Sequence, residues 1–251
     1  MLKLYPVART YDDPCGLARA LDLIGERWAL LVVRELLLGP KRFSDLRRGL
    51  PGASQSMLTS RLADLEAAGV LRRRHLWPPV GTSVYELTDQ GRDLEPALVR
   101  LAAWGSRSAL TSSAELSVDA LALALKTTFD AGAAAGLDLR CQLHLDGDGL
   151  LVTVHDGQLD VTRGRDDDAD LAIETTAAGF RALIFAGTTL DDADATFHGD
   201  RDGIARVLGL FPRPTVGPTV GPTVGPTVGP TVGPNGGHAR SRVDEPVDNS
   251  A

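Results

Sequence analysis

The 251-residue sequence predicts an α+β protein in two folded segments followed by a low-complexity tail. Three observations carry that expectation. Residues 1–112 repeat leucine at helical spacing, and residues 113–212 alternate apolar with polar positions between Asp-Gly and Gly-Asp turns. Residues 213–251 hold the unit Pro-Thr-Val-Gly five times between Pro214 and Gly233, where regular proline removes backbone donors and neither helix nor central strand can propagate. A disordered spacer is expected there. Apolar residues make up 43% and charged residues 24%, which excludes global disorder, a collagen-like chain and a membrane-spanning one. The apolar run at residues 29–33 is cut by Arg34, far short of the roughly 20 residues a spanning helix needs. The start MLKLYPVART offers no apolar signal segment, so the cytoplasm is the expected compartment. Cys15 and Cys141 make no disulfide framework, in keeping with a reducing environment.

In the first segment Leu17, Leu21 and Ile24 share a helical face. A second helix is expected over about residues 26–38 and ends at Gly39-Pro40, since glycine closes a helix and proline cannot extend it. Residues 43–49 (FSDLRRG) read as a short helix with Ser44 as its cap. After the turn Leu50-Pro51-Gly52-Ala53, Ser54 is placed to cap a longer helix that reaches about Ala68 and closes at Gly69. Leu58, Leu62 and Leu65 form the buried stripe of that helix, opposite Gln55, Ser56, Thr59, Ser60 and Arg61. Residues 70–77, the turn Pro78-Pro79-Val80-Gly81 and residues 83–87 read as a hairpin. A last helix from about Thr88 carries Leu94, Leu98, Leu101 and Trp104.

Helix, helix, turn, helix, two-stranded wing, helix is the order of a winged helix-turn-helix domain. The charge distribution agrees with a polyanion as its partner. Up to Ser112 there are 16 basic residues against 12 acidic, and beyond it 10 against 21; residues 41–77 alone hold 8 against 3. A local basic patch on an acidic chain of net charge −7 attracts a polyanion at one site while the remainder repels it. Short polar side chains on the first turns of a helix can reach base edges in the major groove, and arginines neutralise phosphate. Gln55, Ser56, Thr59 and Ser60 are the base-edge candidates, with the capping Ser54 beside them in the DNA-binding set; Arg47, Arg48, Arg61, Arg72 and Arg74 are the phosphate candidates.

The segment CGLARALDLIGERWALLVVRELLLGPKRFSDLRRGLPGASQSMLTSRLADLEAAGVLRRR, followed by YELTDQGRDL and LAAWG, resembles HxlR-type transcriptional regulators over about residues 12–108. The resemblance implies a dimeric protein that binds double-stranded DNA at an inverted repeat, by the family's habit a repressor. It also implies a redox candidate in Cys15, since some members sense oxidants or electrophiles with a matching cysteine. Two departures stand out. Ser56 occupies a position where a basic or amide side chain is frequent, and the wing PPVGTSVYELT is long and lacks a basic residue at its tip. Arg72, Arg73 and Arg74 on the first wing strand are therefore the better contacts. Leu94, Leu98, Leu101 and Trp104 give more apolar surface than a small helical core needs, which suits a homodimer.

In the second segment Val118, Leu121, Leu125 and Phe129 suit one helix, and Leu139, Cys141, Leu143 and Leu145 alternate with polar residues as a strand. An Asp146-Gly147-Asp148-Gly149 turn leads into strands over 151–155, 158–162 and 171–175; helices follow over 179–186 and 204–211. The stretch from Ala169 to Phe211 resembles the C-terminal half of sterol-carrier-protein-like domains, without the lysines those proteins often carry before Gly-Asp. That resemblance implies an apolar small molecule or lipid as ligand, lined by Phe129, Leu143, Phe180, Leu183, Ile184, Phe197, Val207 and Phe211. The same residues also suit a filled core. Asp166, Asp167, Asp168 and Asp170 lack calcium-loop spacing, and no catalytic, nucleotide or metal motif is present, so no cofactor and no enzyme activity are expected. A lipid carrier whose winged helix serves protein contacts is the alternative reading.

Overall fold

The computed structural model describes residues 10–77, 81–108, 112 and 114–213. The wing turn at Pro78, Pro79 and Val80 and the repeat tail lie outside the described residues. Helix α1 spans Gly16–Ile24 and α2 spans Ala29–Leu36. The second helix starts later than its leucine spacing suggests because Trp28, with φ of 76°, turns the chain just before it. Gly52 makes room for that indole: a Cβ there would lie 2.9 Å from Trp28 Cη2.

Helix α3, Phe43–Gly49, is capped by Arg42 rather than Ser44. The Asp45 carboxylate accepts from the Arg42 backbone amide at 3.2 Å, so the acidic side chain at the third position does the work expected of the serine. Helix α4, Gln55–Ala67, begins where expected, with Ser54 Oγ accepting from the Met57 amide. Strands β1, Leu71–Leu76, and β2, Thr82–Leu87, pair antiparallel with Leu71 opposite Leu87.

Thr88 then makes the corner from wing to helix. Its hydroxyl donates to the carbonyls of Gly69 and Val70 and accepts from the Gly91 amide, which opens the four-residue helix α5, Asp89–Arg92. A side chain at position 91 would strike the Val70 carbonyl, so packing requires the glycine there. The expected single last helix is in fact two: α6, Glu95–Gly105, restarts with Pro96 in its first turn, where the missing amide costs nothing.

Helix α7, Val118–Thr128, is capped by Ser117. Strands β3 (Asp138–Leu145), β4 (Asp148–His155), β5 (Gln158–Arg163), β6 (Leu171–Thr175) and β7 (Thr196–His198) form a sheet in the order β5-β4-β3-β6-β7. Only β3 and β6 run parallel. Asp146-Gly147 and Asp156-Gly157 all take positive φ, the two-residue geometry that fits the twist of a hairpin. Helix α8, Ala177–Arg181, passes into a π turn at Ala182–Ala186. Helix α9, Arg201–Gly209, starts three residues before the apolar run because Asp200 accepts from the Gly203 amide and caps it.

Two hydrophobic clusters result. Val32, Val33, Leu36, Leu46, Leu58, Leu62, Leu65 and Leu98 centre the first; Leu121, Cys141, Leu143, Val152, Ile173, Phe180 and Phe211 centre the second. Helix α7 belongs to both, because its Leu123 is buried in the first cluster while Leu121 and Leu125 are buried in the second. The described residues accordingly fall in one compact unit.

Candidate nucleic-acid interface

The fold turns the start of α4 outward. Leu58, Leu62 and Leu65 anchor the helix, leaving Ser54, Gln55, Ser56, Thr59 and Ser60 exposed. Several of these hydroxyls have local partners: Ser54 and Ser56 oxygens lie 3.2 Å apart, and Thr59 Oγ1 donates to the Gln55 carbonyl at 2.9 Å. Met57, an apolar residue among these polar ones, shares this face and is 38% exposed. Arg47 and Arg48 extend from the last turn of the neighbouring α3 and are exposed.

Arg61 departs from the expected phosphate group. Its side chain is only 9% exposed, bound to Asp64 at 3.0 Å and to Glu26 at 3.5 Å, with Nε buried and unpartnered among the described residues. The reason is helical phase: Arg61 stands three residues after Leu58 and four before Leu65, inside the buried stripe.

On the wing, Arg72, Arg73 and Arg74 are all exposed, yet Glu86 holds Arg72 at 2.7 Å and Arg74 at 3.1 Å. Two of the three wing arginines are therefore partly neutralised by a carboxylate of the opposite strand. Trp77, close to the wing turn, is 80% exposed with its ring edge-on to His75.

Cys15 is exposed at the start of α1, where the backbone amides of Leu17 and Ala18 stabilise a thiolate and hold the thiol below its usual range. Burial pushes the Cys141 thiol up to about 12. Leu17, Leu21, Leu101 and Trp104 are exposed, whereas Leu98 is buried in the first hydrophobic cluster.

The side chains expected to line an apolar pocket are instead packed together. Leu143, Phe180, Leu183, Ile184, Val207 and Phe211 are buried, and Phe129 and Phe197 close on the same cluster. A cavity of about 940 Å³ does open at one end of the sheet, but polar residues, among them His144, Arg163, Arg165, Glu174 and Thr196, line it. Asp166 and Asp170 are structural: Gln142 accepts from the Asp166 amide, and the Asp170 carboxylate accepts from the Arg140 amide. No cluster of metal-ligating side chains occurs among the described residues. No helix among them is long and apolar enough to cross a membrane.

The fold also buries an acid that no sequence motif marks. Glu35 is fully buried, in contact with Arg34, Lys41 and Ser117. Burial works to raise its carboxyl, but the charges of Lys41 and Arg34 and the hydrogen bonds from Lys41 and Ser117 outweigh it and hold the group below its ordinary value. A lone acid inside the apolar run ALLVVREL was the available signal.

An outward polar helix start beside exposed arginines, followed by a basic wing, defines a winged helix-turn-helix protein of the DNA-binding, transcription-regulating class. Residues 23–112 match the HxlR-like helix-turn-helix family. The uncharacterized HTH-type transcriptional regulator YybR of Bacillus subtilis is 39% identical over 95 residues, covering 37% of this chain and 74% of that protein. YkvN of the same organism, likewise described, is 38% identical over 102 residues, covering 40% of this chain and 86% of that protein. Among solved structures, the redox regulator HypR in its oxidized form is 34% identical over 39% of this chain and 100% of that one, with a TM-score of 0.37. The chain belongs to the HxlR-like helix-turn-helix family, and it is a DNA-binding transcriptional regulator.

Proposed function

We propose that the chain is a homodimeric repressor that works in the cytoplasm on an inverted-repeat operator. In this reading residues 1–112 read DNA and dimerise, residues 113–212 form a sterol-carrier-like α+β domain that controls them, and residues 213–251 are a passive tail. The observation that carries the DNA reading is the start of α4: Gln55 and Ser56 are exposed on the first turn, one short turn of chain from Arg47 and Arg48. A helix presented this way places short polar groups at base edges and cations at phosphates. Exposed Leu17, Leu21, Leu101 and Trp104 supply apolar surface for a second copy, and a two-fold dimer sets the half-sites about one helical turn apart.

The strand, helix, strand, Gly199-Asp200, helix order supports the sterol-carrier-like reading of the second domain. Its implied effector is an apolar molecule. Because the candidate lining is packed, such a ligand needs α8 and α9 to part from the sheet, and it controls DNA binding only through different affinity for the two states. Operator affinity unchanged by saturating long-chain fatty acid removes that part of the reading.

The test of the whole is binding to the DNA upstream of the chain's own gene, and to duplexes selected from a random pool, across a salt series with an unrelated competitor. Preferential binding with a steep negative salt slope is expected. Equal affinity for every duplex overturns the reading.

A further inference from the structure

We propose that Asp119, which lies outside the winged helix, is a positioning residue for DNA recognition, acting through a buried chain of alternating charges. The inference rests on the DNA-reading function proposed above and adds to it a route by which the second domain sets operator affinity.

Six charged groups alternate in sign across the two hydrophobic clusters: Arg34, Glu35, Lys41, Asp119, Arg163 and Asp148. Arg34 meets Glu35 Oε1 at 2.7 Å, and Lys41 Nζ meets Glu35 Oε2 at 2.8 Å. Lys41 also pairs with Asp119, whose two oxygens accept from Arg163 Nη2 at 3.0 and 2.9 Å. Arg163 ends the chain on the more exposed Asp148. The two inner carboxylates are the buried ones, with side chains 0% and 2% exposed, and each lies between two cations. The Ser117 hydroxyl donates to Glu35 at 2.6 Å while accepting from the Ala120 amide, so the first turn of α7 is tied to α2 as well.

The other ends of this chain touch the elements that aim α4. Lys41 exchanges two backbone hydrogen bonds with Tyr85 of β2, at 3.0 and 2.8 Å, which fixes it to the wing. Glu35 Oε2 lies where a Cβ on Gly49 would come within 2.0 Å, so it is pressed against the end of α3, next to the exposed Arg47 and Arg48. Asp119 thus braces wing and α3 from a single buried point. Removing its charge leaves Lys41 and Arg163 facing each other without a shared anion, an arrangement the buried contact cannot keep.

Two modes of DNA binding respond differently to such a loss. Phosphate attraction tolerates small changes of angle, whereas contact with base edges requires the helix and wing at a fixed mutual orientation. Specific affinity is therefore the quantity that Asp119 controls.

The experiment uses the full chain and measures affinity for a selected operator and for an unrelated duplex. Asp119→Asn is expected to weaken operator binding at least tenfold and binding to the unrelated duplex less than twofold, with Asp119→Glu recovering most of the loss. Lys41→Met should reproduce the effect, and the double variant Lys41→Met with Asp119→Asn should add nothing. Lys126→Met breaks a different contact between the clusters, the 2.6 Å pair with Glu95, and should stay within twofold of wild type. Should Asp119→Asn fail to give the native circular dichroism spectrum, Arg163→Met loosens the same chain from its half-exposed end and should cost at least threefold in operator affinity. Operator affinity within twofold of wild type in whichever of these two variants folds overturns the proposal. An equal loss on both duplexes, or an equal loss in Lys126→Met, also overturns it. A wild-type chain with no preference among duplexes overturns the repressor reading instead, which keeps the two failures distinct.

Discussion

Arg72 Nε and Glu86 Oε1 meet at 2.7 Å across the wing, and the same carboxylate holds Arg74 at 3.1 Å. Glu86 competes with any phosphate for both guanidinium groups. Glu86→Gln should raise affinity for every duplex, roughly three- to tenfold at low salt, and steepen the salt slope by about one to two, as freed cations displace more counterions. A salt titration of the two proteins reads both quantities; an unchanged slope would place the wing away from the backbone.

Arg61 provides the opposite case. With its side chain packed in the buried stripe against Met57, Arg61→Ala should lower stability by about 1–3 kcal/mol, through lost packing rather than lost charge, since Asp64 and Glu26 are themselves exposed. The salt slope of DNA binding should hold. Denaturant unfolding measures the first, and a slope reduced by about one with normal stability would return Arg61 to the phosphate group.

The two thiols should separate by pH. Cys15, with its pKa lowered by the Leu17 and Ala18 amides, should react with iodoacetamide readily at neutral pH, and Cys141 only once the chain unfolds. Because the folded pKa of Cys141, about 12, lies above its ordinary value of 9.0, its contribution to stability is complete below pH 9 and lost progressively as pH rises towards 12. Mass-resolved alkylation checks the reactivity, and equal rates at the two sites in native protein would contradict it. Loss of peroxide or quinone response in Cys15→Ala is the expected sign of a redox role.

Trp104 and Leu101, 65% and 49% exposed, end the first segment with no partner that buries them among the described residues. Trp104→Ser should shift the protein towards monomer and weaken operator binding, because a large aromatic at the centre of an interface carries much of its energy. Sedimentation velocity decides it: a Trp104→Ser chain that sediments like wild type places the partner surface elsewhere.

Much of the DNA-reading unit was legible because its signals are local. Ser54, the leucines at 58, 62 and 65, and Gly69 define α4 by capping and period alone. Arg61 carries the charge of a phosphate contact and the period of a buried residue, and the period decides its place. The break before α6 was written in Pro96, and the late start of α2 depends on the backbone of Trp28, which no periodicity reveals. Leu17 and Leu21 share a helical face with Ile24 yet stand exposed, because spacing identifies an apolar face without saying which surface covers it. The chain from Glu35 through Lys41 and Asp119 to Arg163 was out of reach, as its members lie up to 128 positions apart and meet only through the fold.

If α4 reads base sequence, its exposed first turn must make the base-edge contacts. The most direct measurement is a random-duplex selection carried out in parallel on the wild-type chain and on Gln55→Ala with Ser56→Ala. An inverted repeat is expected for wild type and, for the double variant, loss of preference at the base pairs facing α4 with non-specific affinity and salt slope retained. An unchanged selected sequence in the double variant would contradict it.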